Sequence, residues 1–132
     1  MAEVRERHGF ELAIQGEAIG PGIRGNRYAR KEIELHVFTL FDISGHRQLS
    51  RDESAGLVEE LGLSAVPDLG ELVLNHGVDE LVEFSSGDST LNPKVPREGV
   101  VLRPPTEEMD PDIGGRLSFK VINPQFLLKF DE

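Results

Sequence analysis

"IELHVFTLFDI", residues 33–43, decides the fold. Period-two alternation puts Ile33, Leu35, Val37, Thr39, Phe41 and Ile43 on one face of a strand and Glu34, His36, Phe38, Leu40 and Asp42 on the other. The first set reads as a core face. The second mixes polar groups with one aromatic ring, as a ligand-facing surface does. Upstream, "FELAIQGE" (10–17) alternates in the same way, with Phe10, Leu12 and Ile14 on one side, and ends on the carboxylate Glu17. Between the two strands lies "AIGPGIRGNRY" (18–28), a loop rich in glycine and arginine, and a simple hairpin needs far fewer special residues.

Downstream the periodicity changes. "SRDESAGLVEELGL" (50–63) reads as a helix capped by Ser50 or Asp52, with Leu57, Val58 and Leu61 on one stripe. Pro67 interrupts the chain, and "DLGELVLNHG" (68–77) and "VDELVEFSSG" (78–87) read as two short helices, the second burying Leu81, Val82 and Phe84. Residues 50–86 thus form a helical insert. "DSTLNPKVP" and "TEEMDPDIGG" read as loops. "EGVVLR" (98–103) and "RLSFKVI" (116–122) read as strands, and "QFLLKF" closes the chain. Strands, then helices, then strands predict a single α+β domain with mainly antiparallel sheets.

The 132 residues suit one domain with a real core. An apolar fraction of 38% and a charged fraction of 29% fit a globular chain. No apolar run approaches the ~20 residues of a membrane helix. The N-terminus has no secretory h-region and there is no cysteine, which is compatible with a cytoplasmic setting and excludes disulfides and thiolate metal sites. The net charge of −10 argues against general nucleic-acid binding. However, Arg24, Arg27, Arg30 and Lys31 cluster after the glycine loop, which reads either as a local basic patch or as a solvated charged turn.

Familiar catalytic signatures are missing. His8, His36, His46 and His76 have no metal-ligand spacing, and there is no GxSxG elbow, P-loop or ordered GxGxxG. What remains is a set of residues spread over the strands: Glu17, Phe38, Glu98 and Lys120. An acid, an aromatic ring, a second acid and a lysine are what an ATP site without a P-loop uses. The ring stacks on the base, one carboxylate meets the ribose, the other holds a divalent metal, and the lysine meets phosphate. The same residues also suit a core ring, a surface lysine and solvated strand ends.

The order and wording of four segments extend this reading. "QGEAIGPGIRGNRY", "FTLFDI", "LNPKVPREGVVLRP" and "SFKVINPQFLLKF" resemble motifs III, IIIa, IV and V of the covalent nucleotidyltransferase superfamily. More closely, they are similar to ATP-dependent RNA ligases of the type with an N-terminal OB domain. The resemblance covers about residues 10–130. It implies a partial nucleotidyltransferase domain with ATP and Mg²⁺ or Mn²⁺ as cofactors and RNA 5′-phosphate and 3′-hydroxyl ends as partners. By residue, it implies that Glu17 contacts ribose and metal waters, that Phe38 stacks on adenine, and that Glu98 serves the metal. Lys120 would contact the α-phosphate, and Arg24 and Arg27 would contact RNA.

Two departures stand out. The family's second motif V lysine, two residues from Lys120, is replaced by Ser118 or Ile122. The Lys-x-Asp-Gly nucleophile motif is missing, because none of Lys31, Lys94, Lys120 and Lys129 precedes Asp-Gly. The chain is therefore expected to correspond to the later part of a ligase catalytic domain. It would contribute to RNA joining through lysyl-AMP with a separate chain carrying the missing half, or it would be a non-catalytic nucleotide- or RNA-binding remnant. A truncated product without activity is the third reading. On any of them, the isolated chain forms no covalent adduct with ATP.

Overall fold

The computed structural model describes residues 6–130. Strand β1 (Leu12–Ile19) pairs antiparallel with β2 (Glu34–Asp42), the longest strand. On the far side of β2, its end pairs with the short β3 (Arg47–Gln48), and its middle pairs in parallel with β4 (Ser64–Ala65). Helix α1 (Arg51–Glu60) lies between β3 and β4. Helix α2 (Val78–Ser85) precedes a second antiparallel pair, β5 (Gly99–Leu102) with β8 (Phe119–Ile122). A small hairpin of β6 (Met109–Asp110) and β7 (Gly115–Arg116) separates them. Helix α3 (Pro124–Phe130) follows β8. The fold is α+β with antiparallel sheets, as the sequence predicts.

The strict alternation expected along β2 fails at Phe38. Gln15 pairs with Thr39 and Gly16 with Val37, so Phe38 is an extra residue opposite β1. Such a bulge shifts the phase of the strand. Cross-strand partners share a face, and Ala18–Leu35, Gly16–Val37, Ile14–Leu40 and Leu12–Asp42 therefore define one surface. The core follows this shifted phase: Leu12, Val37 and Leu40 pack with Leu49 and Leu57. Phe41, expected in the core, is instead half-buried, with its ring edge against His46. Ile33, Leu35 and Ile43 are exposed. Asp42, expected on a polar face, is buried, and its Oδ1 accepts from the Gly45 amide at 2.8 Å to close the turn into β3.

Helix α1 starts where expected. Ser50 Oγ accepts from the Glu53 amide, and Glu53 Oε1 accepts from the Ser50 amide at 3.0 Å, a reciprocal cap. Arg47 adds two hydrogen bonds to the Glu53 carboxylate. Leu57 carries the buried stripe. The helix expected over 68–77 does not form. Gly70 takes φ +99°, a left-handed conformation, and its amide donates to Asp68 Oδ1 at 2.8 Å, a local turn that competes with helix. In α2 the fully buried residue is Ser85, whereas Phe84 is exposed and Leu81 and Val82 are half-buried. The loop expected over 106–115 contains β6 and the start of β7.

The β5–β8 pair depends on Gly99. Its φ is +157°, and a Cβ there would lie 2.0 Å from the Val121 carbonyl oxygen. We expect Gly99→Ala to cost about 3 kcal/mol or more through strain and backbone clash. We expect Leu40→Ala to cost about 2–5 kcal/mol, and half-buried Phe41→Ala less than Leu40→Ala. Chemical denaturation of the three variants checks both the close approach and the shifted strand phase. Equal or greater loss at Phe41 would show that the phase is wrong.

Candidate nucleotide site

Glu98 and Lys120 are brought together by local backbone geometry. The amide of Asn123 donates to the Glu98 carbonyl at 2.8 Å, and Asn123 Nδ2 donates to the Arg97 carbonyl at 2.9 Å. Asn123 is fully buried, so both bonds are shielded from water. It also caps α3, its Oδ1 accepting from the Gln125 amide at 3.0 Å with Pro124 in the first helical position. On the other side, Arg97 Nε donates to the Ser85 carbonyl at 3.0 Å and its Nη2 to the Phe84 carbonyl, a cation at the C-terminal end of α2. Glu98 is thus held between two helix ends. Its Oε1 meets Lys120 Nζ at 2.7 Å, with both side chains solvent-accessible.

Arg103 links the Phe38 backbone to the sheet that carries Lys120. The register pairs Val101 with Lys120 and Leu102 with Phe119, so Arg103 and Ser118 come next on the Lys120 face. Arg103 Nε donates to Ser118 Oγ at 3.2 Å, and its Nη1 donates to the Phe38 carbonyl at 3.3 Å. The Phe38 side chain is 46% exposed. The bulge that moves Leu40 into the core therefore leaves Phe38 accessible.

Glu17 belongs to a second group. It pairs across the ladder with His36, and its Oε1 lies 3.9 Å from Arg24 Nη1. Glu17, Ile19, Gly20, Arg24 and Tyr28 line a shallow pocket. The glycine loop is a chain of left-handed turns, with Gly20, Gly22, Arg24, Gly25, Asn26 and Ala29 all at positive φ. Only Gly20 is also sterically required, because a Cβ there would meet the Glu32 carbonyl oxygen at 2.6 Å.

Arg27 also lines this pocket but is held differently from Arg24. Its guanidinium stacks on the Phe130 ring, 4.1 Å from the centroid, and 5.1 Å from that of Phe126, while Asn92 Nδ2 donates to its carbonyl at 2.9 Å. Arg27 therefore ties the glycine loop to α3. Arg30 makes two hydrogen bonds to Glu34, at 2.7 and 3.0 Å, and Asn26 brackets its backbone. Among the described residues, no group of three or more His, Asp or Glu side chains could hold a metal ion. Among the described residues, no helix is long and apolar enough to cross a membrane.

Arg97, Arg103 and Asn123 escaped the sequence reading. Asn123 had a visible signal, since Asn-Pro before an apolar run is a helix start. The other two had none, because their partners are backbone carbonyls and a hydroxyl far along the chain.

The comparisons with known proteins agree with this architecture. The RNA ligase family profile matches residues 2–122. The chain belongs to the RNA ligase family. Solved structures of Naegleria gruberi RNA ligase are similar to it. One, with PPi, has a TM-score of 0.80 and 33% identity over 98% of this chain. A mutant with ATP and Mn gives 0.82 and 32% over 99%, and a mutant with AMP and Mn gives 0.80 and 33% over 98%. In each case the match spans 37% of the Naegleria chain. No curated protein matches the chain.

The Arg30–Glu34 pair gives a pH prediction. Hydrogen bonds from Arg30, and then from His36, hold the Glu34 carboxyl at about 2. A depressed folded-state pKa stabilises the fold above the unfolded value, and that contribution is lost as pH falls through about 2. Between pH 5 and 2 the melting temperature should therefore fall more steeply for the native chain than for Glu34→Gln. Parallel curves would show that the pair adds nothing to folding.

Proposed function

We propose that this chain is the nucleotide- and metal-handling part of an ATP-dependent RNA ligase, a single partial nucleotidyltransferase domain that acts in the cytoplasm. The observation that carries the reading is the exposed Glu98–Lys120 pair, with the Phe38 backbone joined through Arg103 to the sheet face that Lys120 occupies. Phe38 offers a stacking surface for adenine. Lys120 offers a positive charge to the α-phosphate. Glu17 accepts from ribose hydroxyls at the other end, and Arg24 and Arg27 border the path of the RNA. The ATP, AMP and Mn of the Naegleria structures support the choice of ligand for this chain.

One carboxylate is a fitting protein share of a divalent site, since Mg²⁺ binds through one or two carboxylates and completes its shell with phosphate and water. Glu98 would hold that ion, with Glu17 ordering its waters. The ion would neutralise phosphoryl charge. Lys120 would fix the α-phosphate, and Phe38 and Glu17 would fix the nucleoside against it.

The lysine nucleophile must come from elsewhere, as none of the four lysines here has the Asp-Gly context. A separate chain carrying Lys-x-Asp-Gly is the proposed partner. Incubated alone with radiolabelled ATP and Mg²⁺, this chain should remain unlabelled on a denaturing gel. Supplying the Lys-x-Asp-Gly segment in trans or by fusion should produce label. That label should fall at least about tenfold in Glu98→Ala and in Lys120→Ala, because both act where charge develops. Phe38→Ala should weaken ATP binding by about 5–100-fold, the worth of one base–aromatic stack. Full labelling with Glu98 and Lys120 both replaced by alanine would overturn the site and favour a non-catalytic binding remnant.

A further inference from the structure

Arg103 has an unusual electrostatic position. Its neighbour Arg116 is neutralised by a two-point contact with Glu107, at 2.8 Å and 2.5 Å. The hydrogen bonds of Arg103 instead go to neutral oxygens, the Ser118 hydroxyl and the Phe38 carbonyl. Among the described residues it forms no ion pair. Arg103 is solvent-exposed, but desolvation by the groups around its guanidinium, and then the nearby charge of Arg116, lower its pKa, while Glu107 opposes this more weakly. A guanidinium in that state gains from an incoming anion. Its fork has donors to spare beyond the two bonds it makes.

Its location adds a second argument. Arg103 and Ser118 share the sheet face of Lys120, and Ser118 lies two residues from Lys120. Ser118 brings a hydroxyl and no charge to that face beside Lys120. Arg103 lies directly across the ladder from it and reaches towards Phe38. The guanidinium thus bridges the sheet face of Lys120 and the backbone of Phe38.

We propose that Arg103, just past the end of β5, is the second phosphate-binding cation of the nucleotide site, supplying the positive charge that Ser118, just before β8, lacks. This rests on the nucleotide reading above. On ligand entry, one arm of the guanidinium leaves a neutral oxygen for a phosphate oxygen, a charge-assisted bond in place of an ordinary one.

Calorimetric titration of the full chain with ATP and with adenosine, each with Mg²⁺, tests this. Arg103→Ala should weaken ATP binding by about tenfold and leave adenosine binding nearly unchanged. Adding Ser118→Lys to Arg103→Ala should recover most of the loss. A merely structural latch between β2 and β8 predicts otherwise: ATP and adenosine affinity and melting temperature would fall together, and Ser118→Lys would not rescue. That result would overturn the proposal. Native ATP affinity in Arg103→Ala beside a clear loss in Lys120→Ala would sink the role of Arg103 and leave the nucleotide reading standing. No ATP binding, or none sensitive to Lys120→Ala, would remove both.

Discussion

Strand β2 carries one more residue than β1 opposite the Gln15–Gly16 step, and that residue is Phe38. Without the bulge, Leu40 would face away from Leu12 and Val37. With it, all three join Leu49 and Leu57 in one core. The extra residue itself is left accessible at the point where the β5–β8 sheet approaches. A large-to-small change in such a core costs about 2–5 kcal/mol, a substantial part of the stability of a domain. The bulge is therefore fixed by the burial of Leu40, and the exposure of Phe38 follows from it. Packing below the sheet determines what is available above it.

The second sheet is organised by contacts of a different kind. Gly99 lets β5 approach β8 closely, Asn123 holds both Arg97 and Glu98 by their carbonyls, and Arg97 closes the end of α2. These are buried or backbone-directed bonds, and losing one partner leaves an unsatisfied polar group. The Glu98–Lys120 pair is a different matter. Exposed ion pairs contribute about 0–1 kcal/mol, so folding makes little demand on either residue. The structure thus separates the groups that build the scaffold from those it presents. On a chain of net charge −10, the presented face carries Lys120 and Arg103 together.

Much of this was legible in the sequence. The strands expected at 10–17, 33–43 and 98–103, which form at 12–19, 34–42 and 99–102, the helix capped by Ser50 and the α+β class all followed from periodicity and turn chemistry. The proximity of Glu98 and Lys120 followed only from family resemblance, since nothing local links residues 22 apart. The facing of β2 was misread because a bulge leaves no compositional mark: Phe38 fits the alternation as well as its neighbours do. The helix expected over 68–77 failed for a local reason, with Gly70 in a left-handed turn on Asp68. Arg27, read as a phosphate contact, is also a cation–π strut on α3, a contact set by tertiary packing.

The most direct measurement is a crystal structure of the chain with ATP and Mn²⁺. The account predicts the adenine ring stacked on Phe38, the ribose towards Glu17, and the α-phosphate within hydrogen-bond distance of Lys120, with the metal on Glu98. A nucleotide bound away from both Phe38 and Lys120 would contradict it.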